Sequence, residues 1–175
     1  MEYVAFLLGI NVGKRIVKMD ALKRCFTSLG FTDVRTYLAS GNVRFSVRST
    51  SVVSLVKKIE PALEKQCGFK ISIIVRPFSD IEKIVAAKPF RTIKVTSDIR
   101  LYVTFFSQKP SSMTIPASSA KEFRVLKVAP GEVYSVLDLS KTAKTPDVMK
   151  LLGTAYGKKI TTRNWNTIVK IAAPK

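Results

Sequence analysis

Histidine is absent from the 175 residues of this chain. The absence removes the commonest general base, the usual partner of a serine or cysteine nucleophile, and the commonest metal ligand. Cysteine is almost as scarce: Cys25 and Cys67 stand alone, at no spacing that makes a zinc site or a disulfide framework. Cys25 falls in a helical pattern and Cys67 precedes the helix-ending Gly68, so both are expected to be buried and inert. Only 12 residues are Asp or Glu, and the candidates for acid/base work, Asp20, Asp33 and Asp138, are not paired at a useful spacing. The longest apolar stretches, Val4 to Leu8 and Ile71 to Val75, fall far short of the roughly 18 residues a spanning helix needs, and the N-terminus lacks the order of a signal peptide. A cytoplasmic protein with no membrane partner and no cofactor is the expectation.

Positive charge is abundant. Thirty Lys and Arg give a net charge of +18, spread as 13 against 5 acids over residues 1–78 and 17 against 7 over residues 79–175. Such a field favours polyanions. No block of five or six like charges appears, so a solvated basic surface accounts for it equally well. The 46% hydrophobic content is enough for a real core, and the length suits one large domain or two small ones.

Glu2–Leu8 reads as a strand apolar on both faces, hence central. Leu22, Cys25, Phe26 and Leu29 recur at helical spacing and Gly30 closes that helix. Val34–Leu38 and Val43–Val47 read as strands joined by the Ala39-Ser40-Gly41-Asn42 turn. A helix from about Val52 to Gln66, expected to kink at Pro61, and a strand at Ile71–Val75 follow. This β-α-β-β-α-β order over residues 1–78 is the ferredoxin-like plait, which sets the exit of the first strand beside the hairpin after the second. Asn11 and Asn42 are therefore expected to be neighbours.

Ser79-Asp80-Ile81-Glu82 reads as a capping box opening a helix to about Ala87. Residues 79–175 then read as a second, smaller α/β plait-like unit packed against the first, for an α+β protein. Its parts are a strand at Leu101–Phe106, a loop over Lys109–Ser119, a hairpin of Phe123–Val128 with Val133–Leu139, a helix starting at Thr145-Pro146 and a last helix starting near Thr162.

Three asparagine-centred segments at the ends of apolar runs are where chemistry would sit. Gly9–Lys14 is not a Walker loop, since three residues rather than four separate Gly9 from Gly13 and Arg15 follows the lysine. It reads either as an anion-binding nest or as tight backbone with Asn11 bonding its own loop. Ser40-Gly41-Asn42 is by itself a hairpin turn, and the shared edge would bring Ser40 and Asn42 together with Asn11, Gly13, Lys14 and Arg15. At Thr161–Asn166 a helix N-terminus would expose N–H groups, with Arg163 able to pair with an anion and Asn164 in need of a partner. Trp165 reads as a core anchor. Stacking readout of RNA is not expected, because the RNP1 pattern is missing and Phe45 belongs in the core, whereas Arg35, Arg44 and Arg48 could meet phosphates.

The segments Phe6–Lys14, Val17-Lys18-Met19, Ser40–Val43 and Thr161–Thr167 resemble a largely bacterial family whose members carry LLRGINVGG, SGNV and TTRNWNT motifs. Leu8 stands where an arginine is usual, and Lys14 replaces the second glycine. The family is a domain of unknown function built from two linked α/β plaits, so the resemblance implies the fold and no activity. The reading is a protein that binds an anionic ligand, a phosphate-bearing small molecule or nucleic acid, at the edge of residues 9–18 and 40–43, with Arg163 and Asn164 joining it. The alternatives are a histidine- and metal-independent enzyme and a structural or interaction protein whose asparagines lock loops. Oligomeric state is left open.

Overall fold

The computed structural model describes every residue except 14, 111–112, 115–120, 143–146, 158 and 175. The first elements are β1 (Glu2–Leu7), α1 (Met19–Ser28), β2 (Thr32–Tyr37), β3 (Asn42–Ser46), α2 (Val52–Cys67), β4 (Ile73–Pro77) and α3 (Phe78–Ala86). After them come β5 (Ile99–Phe106), β6 (Phe123–Val128), β7 (Glu132–Asp138), α4 (Val148–Tyr156), β8 (Ile160–Asn164) and α5 (Trp165–Ala172). The chain divides into two compact units, Met1–Ala86 with Val169–Lys175, and Ala87–Ile168.

In the first unit the strand order is β2-β3-β1-β4, with every pair antiparallel, which is the expected plait. β1 is buried on both faces, as its apolar composition requires. Tyr3, Ala5 and Leu7 join Leu22, Cys25 and Phe26 of α1 and Leu55, Ile59 and Leu63 of α2 in one core, while Val4 and Phe6 are fully buried on the opposite face. Two local signals bound α2: the Ser51 hydroxyl accepts from the Ser54 N–H at 3.0 Å, and Gly68 turns left-handed at φ +77. Pro61 sits inside this helix.

Arg44, on the opposite face from Val43 and Phe45, is buried rather than available to phosphates. Its guanidinium lies over the Phe78 ring at 3.5 Å, pairs with Glu2 at 2.7 Å, and donates to the carbonyls of Ile171 and Ala173 at 3.3 Å each. Ile171 lies in the last turn of α5 and Ala173 just beyond it, where no helical donor remains for their carbonyls. A buried cation thus fixes the end of the chain on the first sheet.

The second sheet has the order β6-β7-β5-β8, and its register matches the first. Tyr3 faces Phe45 and Pro77, as Tyr102 faces Ser135 and Asn164; Val4 faces Arg44 and Arg76, as Val103 faces Tyr134 and Arg163. In both sheets a five-residue strand runs directly into a helix opened by an aromatic, β4 into Phe78 and β8 into Trp165. Phe106, Phe123, Val125, Val133, Leu137 and Ile160 pack with Val148 and Leu152 of α4 to form the second core. The Asp147 carboxylate caps α4 through the Lys150 N–H at 3.0 Å. The expected start at Thr145-Pro146 and much of the Lys109–Ser119 loop lie outside the described residues.

Three expectations change. α3 begins at Phe78, with Ser79 already inside the helix, because β4 passes straight into α3 and leaves no separate cap. Thr161, Thr162 and Arg163 lie in β8 rather than at a helix start, since β-branched threonines alternating across a strand pair with β5. Trp165 is only half-buried, with its ring edge-on to Phe90 at 5.2 Å. No helix among the described residues is long and apolar enough to cross a membrane.

Candidate functional site

β1 ends at Leu7, whose N–H donates to the Gly41 carbonyl at 2.9 Å, and the Leu8 N–H donates to the Ser72 carbonyl at 2.9 Å. The chain then enters a loop in which Gly9, Asn11 and Gly13 take φ of +59, +55 and +59. Glycine adopts this region freely and asparagine more readily than most residues. The Asn11 N–H reaches the Arg15 carbonyl at 2.7 Å, closing the turn. The N–H groups of Ile10, Val12 and Gly13 have no acceptor among the described residues.

The Asn11 side chain is the hub of this edge. Its Oδ1 accepts from the Val17 N–H at 2.8 Å, and its Nδ2 donates to the Val17 carbonyl at 3.4 Å and to the carbonyl of Ala39. One amide therefore closes its own loop and ties that loop to the β2–β3 hairpin, as the topology required. Across the hairpin, Asn42 is fully buried, and its Nδ2 donates to the Tyr37 carbonyl at 2.7 Å and to Ser40 Oγ at 2.9 Å. Ser40 is exposed. Gly41 is required sterically, because a Cβ there would lie 2.5 Å from Ile10 Cδ1 and 3.0 Å from Leu7 Cβ.

Arg15 is exposed and folds back over the loop. Its guanidinium stands over the Phe69 ring at 4.9 Å and donates to the Lys70 carbonyl. A Cβ on Gly9 would come within 3.5 Å of its Nη1. The cation is thus held beside the glycine turn by Phe69 and the Lys70 carbonyl, a cation–π placement that limits its freedom. Lys14 lies outside the described residues.

Arg163 and Asn164 belong to other structures. Arg163 is buried on the β8 face shared with Thr161, donating to Thr161 Oγ1 at 2.7 Å and to the Thr162 carbonyl at 2.9 Å. Loss of hydration pushes its pKa down to about 10, so it stays charged at neutral pH. Asn164 precedes α5 and caps it, its Oδ1 accepting from the Asn166 N–H at 2.9 Å. Arg163 lies in a strand and Asn164 caps α5, so the expected cation at a helix N-terminus is not formed.

Sequence reasoning missed the apolar component of this edge. Val12 and Ile16 are each 70% exposed and Leu38 is 50% exposed. For Val12 and Ile16 the available signal was apolar residues inside a glycine-containing loop that no helix or strand pattern absorbs, whereas Leu38 was read as the end of the strand Val34–Leu38 and lies just past β2. Among the described residues, no group of three or more cysteine, aspartate or glutamate side chains is placed to hold a metal ion.

Comparison with known proteins gives a consistent picture. A family model described as protein of unknown function (DUF1697) matches residues 1–134. A conserved bacterial protein from Streptococcus pneumoniae has a similar solved structure, with a TM-score of 0.73 at 24% identity, covering 98% of this chain and 96% of that one. At that identity the likeness speaks for the fold alone. No curated protein matches the chain.

Proposed function

Because the chain belongs to the DUF1697 family of proteins of unknown function, its activity has to be read from its own residues, and we propose that it binds an anionic group at the edge where residues 9–18 meet residues 40–43. The ligand class is a phosphate-bearing small molecule or nucleic acid. The observation that carries this reading is the Arg15 guanidinium held against Gly9, beside a turn whose Ile10, Val12 and Gly13 N–H groups lack acceptors among the described residues. Backbone donors in a left-handed turn next to a fixed cation are the ordinary means of holding an oxyanion. Arg163 has no part in this reading, since it is buried in β8.

A second reading is favoured by the asparagines. Every bond that Asn11 makes ends on the chain's own backbone, and Asn42 is likewise engaged within its hairpin. On that reading the edge is a rigid surface for protein contact and takes no anion.

Titration of the full chain with inorganic phosphate, a nucleoside monophosphate and short single-stranded DNA, followed by amide NMR shifts, separates the two. The anion reading expects saturable shifts at residues 9–17, weakened about tenfold by Arg15→Ala and unchanged by Lys57→Ala. For the DNA arm, affinity should fall linearly with log salt. Equal, modest losses in both variants would leave only a diffuse basic surface. Silence at residues 9–17 with every anion would leave the protein-contact reading.

A further inference from the structure

Resting on the anion reading of this edge, we propose that its ligand is an amphipathic anion: a phosphate or comparable group joined covalently to an apolar chain, taken as a free small molecule.

Each of the three exposed apolar side chains is the sequence neighbour of Asn11 or of one of its partners. Val12 follows Asn11 itself. Ile16 precedes Val17, whose N–H and carbonyl both bond the Asn11 amide. Leu38 precedes Ala39, whose carbonyl accepts from Asn11 Nδ2. One side chain therefore anchors the backbone beside three exposed apolar groups, and Asn42 pins Tyr37, the residue before Leu38, at 2.7 Å. Leu38 has φ +56, a region leucine adopts only when its surroundings impose it. Isolated exposed apolar residues are ordinary on protein surfaces. Three of them held by one hydrogen-bonding hub, one in a strained backbone, make a built surface.

The charge around this surface decides what fits it. Residues 9–18, 37–42 and 68–72 contain no acidic residue. Among the described residues they carry Arg15, Lys18 and Lys70, all exposed, and the Arg15 guanidinium lies over Phe69 beside the glycine turn. An inorganic anion alone would leave Val12, Ile16 and Leu38 in water. An uncharged apolar ligand would leave the cation and the N–H groups unanswered. A molecule that carries both parts satisfies both.

The test titrates the full chain with n-hexyl phosphate, inorganic phosphate and n-hexanol, reading amide shifts at residues 9–17 and 38–41. The expected result is that hexyl phosphate binds about tenfold more tightly than inorganic phosphate, the gain from burying roughly two methylene groups, and that hexanol shows no saturable binding. Ile16→Ser changes an exposed position whose N–H is not among the anion donors and should leave melting unaltered. It should remove most of the tenfold gain and retain phosphate affinity. Equal affinity for hexyl and inorganic phosphate would overturn the amphipathic ligand while leaving the anion site in place. Hexanol binding as well as hexyl phosphate would overturn it by making the anionic part irrelevant. Silence with all three probes would overturn the anion site as well. Binding to phosphatidylglycerol-containing vesicles without binding of monomeric hexyl phosphate would assign the edge to a lipid surface and overturn the small-molecule ligand.

Discussion

Gly41→Ala tests whether close packing, and not loop flexibility, builds the edge. Gly41 has φ +73, and the added Cβ would lie 2.5 Å from Ile10 Cδ1 and 3.0 Å from Leu7 Cβ. Holding alanine in the left-handed region costs about 1 kcal/mol. Overpacking against a buried Ile10 and a strand-anchored Leu7 adds about 1–3 kcal/mol, for about 2–4 kcal/mol together. Gly13 supplies the internal control, since its φ is +59 and nothing lies within 4 Å of the would-be Cβ. Gly13→Ala should therefore cost only the conformational part, about 1 kcal/mol. Urea unfolding followed by far-UV circular dichroism would show a lower midpoint for Gly41→Ala at unchanged slope. Adding Ile10→Val removes the Cδ1 atom that the new methyl meets, so the double variant should be less unstable than the two single losses predict. A Gly41→Ala variant no worse than Gly13→Ala would refute the packing argument.

Arg44→Met should lose about 2–3 kcal/mol by removing the guanidinium that bonds Glu2 and the carbonyls of Ile171 and Ala173, and faster amide exchange at residues 169–174 would show the chain end released. The Asp138 carboxyl is held below its usual range, chiefly by the Ser140 hydroxyl and also by Lys141. Its contribution to stability is therefore present above the unfolded carboxyl range and is lost as pH falls through the lower, folded value; Asp138→Asn should flatten the acid side of a stability–pH curve below about pH 4. Burial, followed by the nearby Cys67, pushes the Cys25 thiol up, so a thiol reagent at neutral pH should leave Cys25 unmodified in the native protein and label it on unfolding.

The first plait was legible because its signals are local and agree. β1 is apolar on both faces, α1 keeps its stripe to Gly30, and α2 is capped at Ser51 and ended by Gly68. The proximity of Asn11 and Asn42 followed from strand order alone. The bonds themselves did not, because a fully buried Asn42 and an exposed Asn42 have the same sequence context. At Thr161–Asn164 the competing signals were threonine as a cap and threonine as a strand former, and pairing with β5 decided for the strand. Arg44 was misjudged for a related reason. Strand alternation gives the face on which a side chain lies, not whether a later segment such as residues 169–174 returns to cover that face.

The two sheets together indicate which features the fold itself needs. The Leu7 N–H bond to the Gly41 carbonyl, 2.9 Å, recurs as Phe106 N–H to the Gly131 carbonyl, 3.0 Å, and Leu8 N–H to Ser72, 2.9 Å, recurs as Ser107 N–H to Lys159, 3.1 Å. Arg76 and Arg163 occupy the same register position, and so do Phe78 and Trp165. An alignment of β4–α3 with β8–α5 would have placed Arg163 on a strand from sequence alone. Past these shared bonds the units diverge: where the first continues as Gly9-Ile10-Asn11, the second continues as Gln108-Lys109-Pro110. Proline at the position of Asn11 has no side-chain amide to tie a loop to a hairpin. The second sheet closes its strands by the same bonds without that hub, so closing a plait does not explain Asn11. What the first unit has in addition is the edge of Arg15, Val12, Ile16 and Leu38, and the search for a ligand belongs there.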